Sequence, residues 1–228
     1  MTAPSLRLAL SPRSPSPDNH VSAGSRPKRW IDVALALIVL ILAAPLFALI
    51  AVVIATTSPG SVLFRQERVG LGGRRFTMLK FRTMRTNADE SVHREYVLSM
   101  VRTAATVPNR VGAFKLAGDN RVTAIGALLR KSSIDELPQF LNVLIGDMSV
   151  VGPRPPLPYE VEHYDDWQLE RLSARPGITG LWQVSGRNEL PFAARLQFDE
   201  FYVRNWSLWL DLTLLLRTPA ALLRGGAY

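Results

Sequence analysis

The sequence predicts an α+β fold, mainly helical, in which a membrane helix, a small β-hairpin and interfacial amphipathic helices surround one compact domain. Three observations carry that prediction. Residues 33–55 form a run of 23 without a charged or hydrogen-bonding side chain. Residues 62–84 read as two strands joined by a Gly70-Leu-Gly-Gly73 turn. Apolar residues then recur at helical spacing over 134–144, and residues 205–216 alternate leucines and tryptophans with polar groups. At 228 residues, the chain has room for one domain beside the membrane element.

Composition narrows the chemistry. The chain has no cysteine, which excludes disulfides, thiolate metal sites and a Cys nucleophile. His20, His93 and His163 are far apart and lack ligand spacing, so zinc is not expected. Net charge is +8, and residues 65–130 hold 13 basic against 5 acidic side chains, an excess that equals the whole. Nucleic acid, anionic lipid and phosphorylated ligands all suit such a patch. No helix-turn-helix, zinc-finger or RRM motif is present, which argues against nucleic acid. The basic block also begins ten residues after the apolar run, which favours lipid and phosphates.

Residues 1–27 hold five prolines and six serines and read as a disordered tail ending in Arg26-Pro-Lys-Arg29. Residues 28–57 form the membrane helix, and residues 58–228 the remaining domain. A helix of 23 residues reaches ~35 Å, enough for a hydrocarbon core of ~30 Å. Pro45 sits near its middle, where it removes a backbone hydrogen bond and kinks the helix. Both flanks are basic: Arg26, Lys28 and Arg29 before, Arg65, Arg68, Arg74 and Arg75 after. The positive-inside rule places such flanks on the cytoplasmic side, which a single crossing cannot do for both. A kinked span and a re-entrant helix that breaks at Pro45 and returns to the same face are the two readings.

In the hairpin, residues 62–69 and 75–84 are the arms. Lys80 and Arg82 share one face of the second arm, either as ligand contacts or as a solvated strand face. Residues 85–118 are weakly patterned, and 98–107 suit a helix on the membrane surface. Residues 119–123 form a turn. The stretch Arg130-Lys-Ser-Ser-Ile-Asp-Glu-Leu-Pro-Gln-Phe-Leu-Asn142 comes next. Ser133 and Glu136 have capping-box spacing, Ile134, Leu137, Leu141 and Leu144 repeat as one apolar face, and Pro138 fits the first turn. Asp135 and Glu136 are then expected at a helix start, ionised at neutral pH and able to hold a divalent cation or attack phosphorus. The plainer alternative is a pair of helix-start acids. Gly146-Asp-Met-Ser149 ends the helix, and residues 150–156 form a stiff loop presenting Arg154 between prolines, as a phosphate grip or a structural turn. Residues 160–170 read as a solvated acidic helix face, and 175–188 as a loop exposing donors. Residues 205–216 suit a helix in the membrane interface or a buried core helix.

Seven ordered stretches together resemble the monotopic phosphoglycosyl transferases, a bacterial sugar transferase family. They are Lys28-Arg-Trp-Ile-Asp32, Arg68-Val-Gly70, Lys80-Phe-Arg-Thr-Met84, Ser133-Ile-Asp-Glu-Leu-Pro-Gln139, Gly146-Asp-Met-Ser149, Gly152-Pro-Arg-Pro155 and Arg175-Pro-Gly-Ile-Thr-Gly-Leu-Trp-Gln-Val-Ser-Gly-Arg-Asn188. Length and the Gly-Ala-Tyr228 ending are most similar to the short exopolysaccharide-type members.

The resemblance implies transfer of a sugar phosphate from a UDP-sugar to polyprenyl (undecaprenyl) phosphate, with release of UMP. By resemblance, Asp135 is the nucleophile of a covalent phosphosugar intermediate, Glu136 its partner, and Mg²⁺ an expected cofactor near Asp135. Lys80, Arg82, Arg130, Arg154, Arg175, Gln183 and Arg187 are the implied substrate contacts. The resemblance also favours the re-entrant helix, in the bacterial inner membrane with the catalytic domain on the cytoplasmic face. Later glycosyltransferases are possible partners, and nucleic acid is not expected. Many members carry Ser-Pro at the helix break where this chain has Ala44-Pro45. Two rivals remain: a non-catalytic membrane-anchored scaffold for glycosyltransferases, and a membrane-tethered nucleic-acid binder resting on charge alone.

Overall fold

The computed structural model describes residues 25–85, 91–102, 121–186 and 190–223. The expected tail lies outside these up to residue 24, as do Arg187 and residues 224–228. The described part is mainly helical with two small sheets.

Helix α1 (Arg26–Thr57) is 32 residues long, and Ser25 caps it by accepting from the Lys28 N–H. Pro45 lies inside the helix without ending it, so the chain is helical on both sides of the expected break. The helix is long and apolar enough to cross a membrane. Its two ends are nonetheless buried against the rest of the molecule. Lys28, Asp32 and Ala36 are covered near the start, Ile50 and Ile54 near the end. Between them Leu37, Ile38, Ile41, Leu42, Leu46 and Leu49 are exposed.

The expected hairpin is present. Strand β1 (Leu63–Val69) pairs antiparallel with β2 (Arg75–Phe81), Val69 facing Arg75. The second arm stops at Phe81, short of residue 84, because the chain turns to meet residues 121–123. There Met84 bridges Val122 and the Thr123 N–H bonds the Thr83 carbonyl. Helix α2 (Ser91–Arg102) covers part of the stretch expected on the membrane surface. Its Val97 and Val101 are instead buried, clustered with Phe192 and Leu196, and residues 103–107 lie outside the described part.

Helix α3 (Ala124–Ser132) starts at Thr123, whose hydroxyl accepts from the Gly126 N–H. The capping box expected next does not form. Ser133 adopts φ 58, ψ 16 and its side chain makes no cap bond. An N-cap needs an extended backbone, whereas this left-handed residue terminates α3. Asp135 and Glu136 therefore ride on one 3₁₀ turn (Ile134–Glu136), and α4 (Gln139–Ile145) begins after Pro138. The buried face of α4 holds Gln139, Asn142 and Val143, while Leu141, expected inside, is 37% exposed.

A second sheet is absent from the sequence reading. Strand β3 (Ser149–Val151) pairs in parallel with β4 (Gly177–Thr179), within the stretch expected to be loop. Three-residue strands are too short for alternation to register. Gly152 and Gly177 let the backbones touch, since a Cβ on Gly177 would lie 2.1 Å from the Gly152 nitrogen. Two short helices, α5 (Pro158–Val161) and α6 (Asp166–Leu169), fill the expected solvated acidic face. Glu160 is buried there instead, accepting from the Leu157 N–H and the Tyr164 hydroxyl.

After α7 (Leu181–Ser185) come α8 (Phe192–Arg204) and α9 (Leu208–Leu223). Helix α9 has two faces: Asp211, Leu214 and Ala221 are buried, while Leu208, Trp209, Leu212 and Leu216 are exposed. Ala36, Met78, Val143, Tyr202 and Leu214 share the main core with Val150 and Val151, so α1, β2, α4, α8, α9 and β3 all contribute to it.

Candidate active site

The described structure gathers four of the residues singled out in the sequence: Lys80, Asp135, Glu136 and Arg154. Lys80 Nζ lies 2.9 Å from Glu136 Oε1, and Arg154 Nη1 lies 3.7 Å from the same oxygen. Asp135, adjacent on the turn, is 4% exposed.

Each member is placed by a different element. Lys80 projects from β2, and Asn142 ties that strand to α4, the helix that follows the carboxylate turn. Asn142 Oδ1 accepts from the Leu79 N–H at 3.0 Å, and its Nδ2 donates to the Thr77 carbonyl at 2.7 Å. Buried at 1%, this amide replaces the sheet partner that β2 lacks on that edge. Arg154 stands on residues 152–156, which leave β3 after the Gly152–Gly177 contact.

With Arg68, which is coupled to the same groups, the cluster sets three cations against the two carboxylates Asp135 and Glu136. Burial lowers the Lys80 ammonium below the usual lysine range, with Arg154 and Arg68 adding to the effect and Glu136 and Asp135 opposing it. Burial, together with Arg154, pushes the Arg68 guanidinium down to about 10. Cations that depress one another in a buried site favour a bound anion. Phosphate is an anion that such a lysine and guanidinium pair matches.

The other residues from the sequence lie elsewhere. Arg82 is buried, its Nη2 donating to the Ser58 carbonyl at 2.6 Å at the end of α1. Arg130 is half-buried in the last turn of α3. Arg175 Nε donates to the Gly146 carbonyl at 3.2 Å, and Gln183 Nε2 to the Ile178 carbonyl at 2.9 Å. Arg187 lies outside the described residues. Two contributors escaped the sequence reading. Arg68 stood in a quoted motif without a role, and Asn142 closed the central stretch where a polar residue on a buried helical face was the available signal.

Among the described residues no group of three or more His, Cys, Asp or Glu side chains is gathered as a metal cage. A cation here would take Asp135 together with ligand oxygens, the pattern Mg²⁺ adopts with phosphates.

The sequence has clear relatives. A family described as bacterial sugar transferase matches residues 24–225. The exopolysaccharide production protein ExoY of Rhizobium meliloti is 45% identical over 206 residues, covering 90% of this chain and 89% of the relative. The UDP-glucose:undecaprenyl-phosphate glucose-1-phosphate transferase of Caulobacter vibrioides is 43% identical, covering 97% of this chain and 78% of the relative. The undecaprenyl-phosphate galactose phosphotransferase of Salmonella typhimurium is 42% identical, covering 88% of this chain and 41% of that longer protein.

Proposed function

The chain belongs to the bacterial sugar transferase family, and on that premise we propose that it transfers a sugar phosphate from a UDP-sugar to undecaprenyl phosphate, releasing UMP. The observation that carries this reading is the Asp135–Glu136 turn facing Lys80 and Arg154 across one shared oxygen. Relatives named for glucose and for galactose transfer both support the reaction class.

In the proposed chemistry an Asp135 oxygen attacks the β-phosphorus of the UDP-sugar. A P–O bond forms, the P–O bond to UMP breaks, and the electron pair leaves on UMP. The lipid phosphate oxygen then attacks the same phosphorus, and the bond to Asp135 breaks. Two anionic phosphates cannot approach a carboxylate unless cations offset them. Lys80 and Arg154 supply that offset, and their contact with Glu136 keeps Glu136 beside the incoming lipid phosphate. A Mg²⁺ ion held by Asp135 and the diphosphate would supply further charge neutralisation.

The test is UMP release with a panel of UDP-sugars and undecaprenyl phosphate in detergent. Transfer from at least one sugar supports the reading; a folded protein releasing no UMP from any would point to the scaffold instead. Chelation by EDTA should stop release, and added Mg²⁺ should restore it. Arg154→Ala should lower turnover by about 100- to 1000-fold with little change in Tm. Arg154→Lys should rescue poorly, because a point charge cannot reproduce the planar fork.

The proposed membrane topology is re-entrant, with both ends of α1 on the cytoplasmic face of the inner membrane. It is supported by burial of both ends of α1 in the same folded unit and by the apolar middle between them. The exposed face of α9 and Ile145 of α4 would rest in the same interface. Single cysteines placed at Ser25 and Ser61 in this cysteine-free chain should both react with an impermeant thiol reagent from the cytoplasmic side. Labelling from opposite sides would establish a single crossing.

A further inference from the structure

We propose that Arg171 and Asp199 are positioning residues for Arg154, holding the backbone of residue 154 so that its guanidinium faces Glu136. The inference rests on the phosphate-transfer reading and adds to it two residues that touch no reacting atom.

The case begins with proline. Residues 152–156 read Gly-Pro-Arg-Pro-Pro, so three of five have no N–H. Such a segment is held chiefly through its carbonyls, by donors from elsewhere. Each carbonyl from 153 to 156 has one. The Gly177 N–H bonds the Pro153 carbonyl, Arg68 Nη1 the Pro155 carbonyl at 2.9 Å, and the Val69 N–H the Pro156 carbonyl. The Arg154 carbonyl receives Arg171 Nη2 at 2.6 Å. This bond acts on the functional residue itself, and its donor is charged.

Arg171 is in turn fixed from two sides. Its Nη2 also meets Asp199 Oδ2 of α8 at 2.6 Å, and its Nη1 donates to the Tyr164 hydroxyl at 2.8 Å. Arg171 is 6% exposed and Asp199 1%. Four guanidinium groups, Arg68, Arg154, Arg171 and Arg195, line one small pocket with Glu160 and Asp199 as the acids. Without the Asp199 charge, Arg171 would be buried among cations, and its hold on residue 154 would compete with their repulsion. The chain of contact runs Asp199, Arg171, the Arg154 backbone, the Arg154 guanidinium, Glu136.

Asp199 adds a signature that a bystander would not show. Burial pushes its carboxyl up to about 7, with Arg171 and Arg154 pulling the other way. Activity that needs the ionised form should therefore rise with pH through this range. Stability should do the reverse. A carboxyl raised in the folded state binds its proton more tightly there than in the unfolded chain, so stability falls as pH rises from the ordinary carboxylate value towards about 7.

The experiment is a double-mutant cycle on UMP release by the full chain in detergent or nanodiscs. Asp199→Asn alone should lower kcat on the order of 10²-fold, as a misaimed catalytic group does. In an Arg154→Ala background the same change should cost less than about twofold. The wild-type limb near pH 7 should vanish in Asp199→Asn. Should Asp199→Asn fail to fold, Arg171→Lys takes its place in the cycle. Additive losses, or a pH profile shared by wild type and Asp199→Asn, would overturn the inference while leaving the transfer reading intact. A wild-type protein that releases no UMP would overturn both.

Discussion

Asp135→Asn is expected to abolish the proposed transfer. The substitution keeps the side chain's volume on the Ile134–Glu136 turn and removes the negative charge that the proposed nucleophile needs. Wild-type protein given UDP-sugar and Mg²⁺ without lipid is expected to release UMP in an amount comparable to enzyme. The phosphosugar adduct should then be recovered on the peptide containing Asp135. In Asp135→Asn both the burst and steady turnover should fall by on the order of 10⁴-fold or more, since loss of a nucleophile removes the step it creates. Glu136→Gln should keep part of the burst and lose turnover if, as proposed, its role lies with the lipid phosphate. UMP release that strictly requires undecaprenyl phosphate, with no adduct after rapid quench, would replace the two-step scheme with direct transfer.

Lys28→Met should unfold the joint between α1 and the rest of the molecule. Lys28 Nζ lies 2.6 Å from Asp211 Oδ2 of α9 and 3.0 Å from the Val151 carbonyl of β3. The two side chains are 6% and 9% exposed. Asp211 also accepts from the Tyr202 hydroxyl at 2.7 Å and from Trp206 Nε1 at 3.1 Å. One turn along α1, Asp32 Oδ1 accepts from the Ser149 hydroxyl and the Val150 N–H. Removing Lys28 leaves a buried carboxylate without its cation, a loss of ~3–5 kcal/mol. For a domain this size that is on the order of 10 °C in Tm. Replacing both partners, as Lys28→Met with Asp211→Leu, should recover much of the loss, because no buried charge is then stranded. An unchanged Tm in Lys28→Met would show that α1 docks without help from the Lys28–Asp211 pair. Since β3 leads directly into Arg154, turnover should fall as well, even at temperatures where the variant is folded.

The sequence by itself determined the elements whose signals are local. The apolar run of α1, the Gly-rich turn between β1 and β2 and the proline-flanked Arg154 were legible because each needs only its neighbours in the chain. So was the carboxylate pair, as an unusual adjacency next to a helix-starting proline. Tertiary structure decided the rest. Ser133 was misread because its spacing to Glu136 fits a capping box, whereas its left-handed backbone is imposed by the junction of α3 with the turn. Strands β3 and β4 were invisible because three residues carry no period, and their pairing comes from glycines 25 positions apart meeting in space. Glu160 reads from sequence as a surface acid and Asp199 carries no local signal, since a sequence shows charge but not the arginines that meet it from distant segments. Chain neighbours set conformation through sterics and local hydrogen bonds, which act over a few residues. Burial and charge pairing act through space, so the cations around Glu136 and the clamp on Arg154 exist only once the chain has folded.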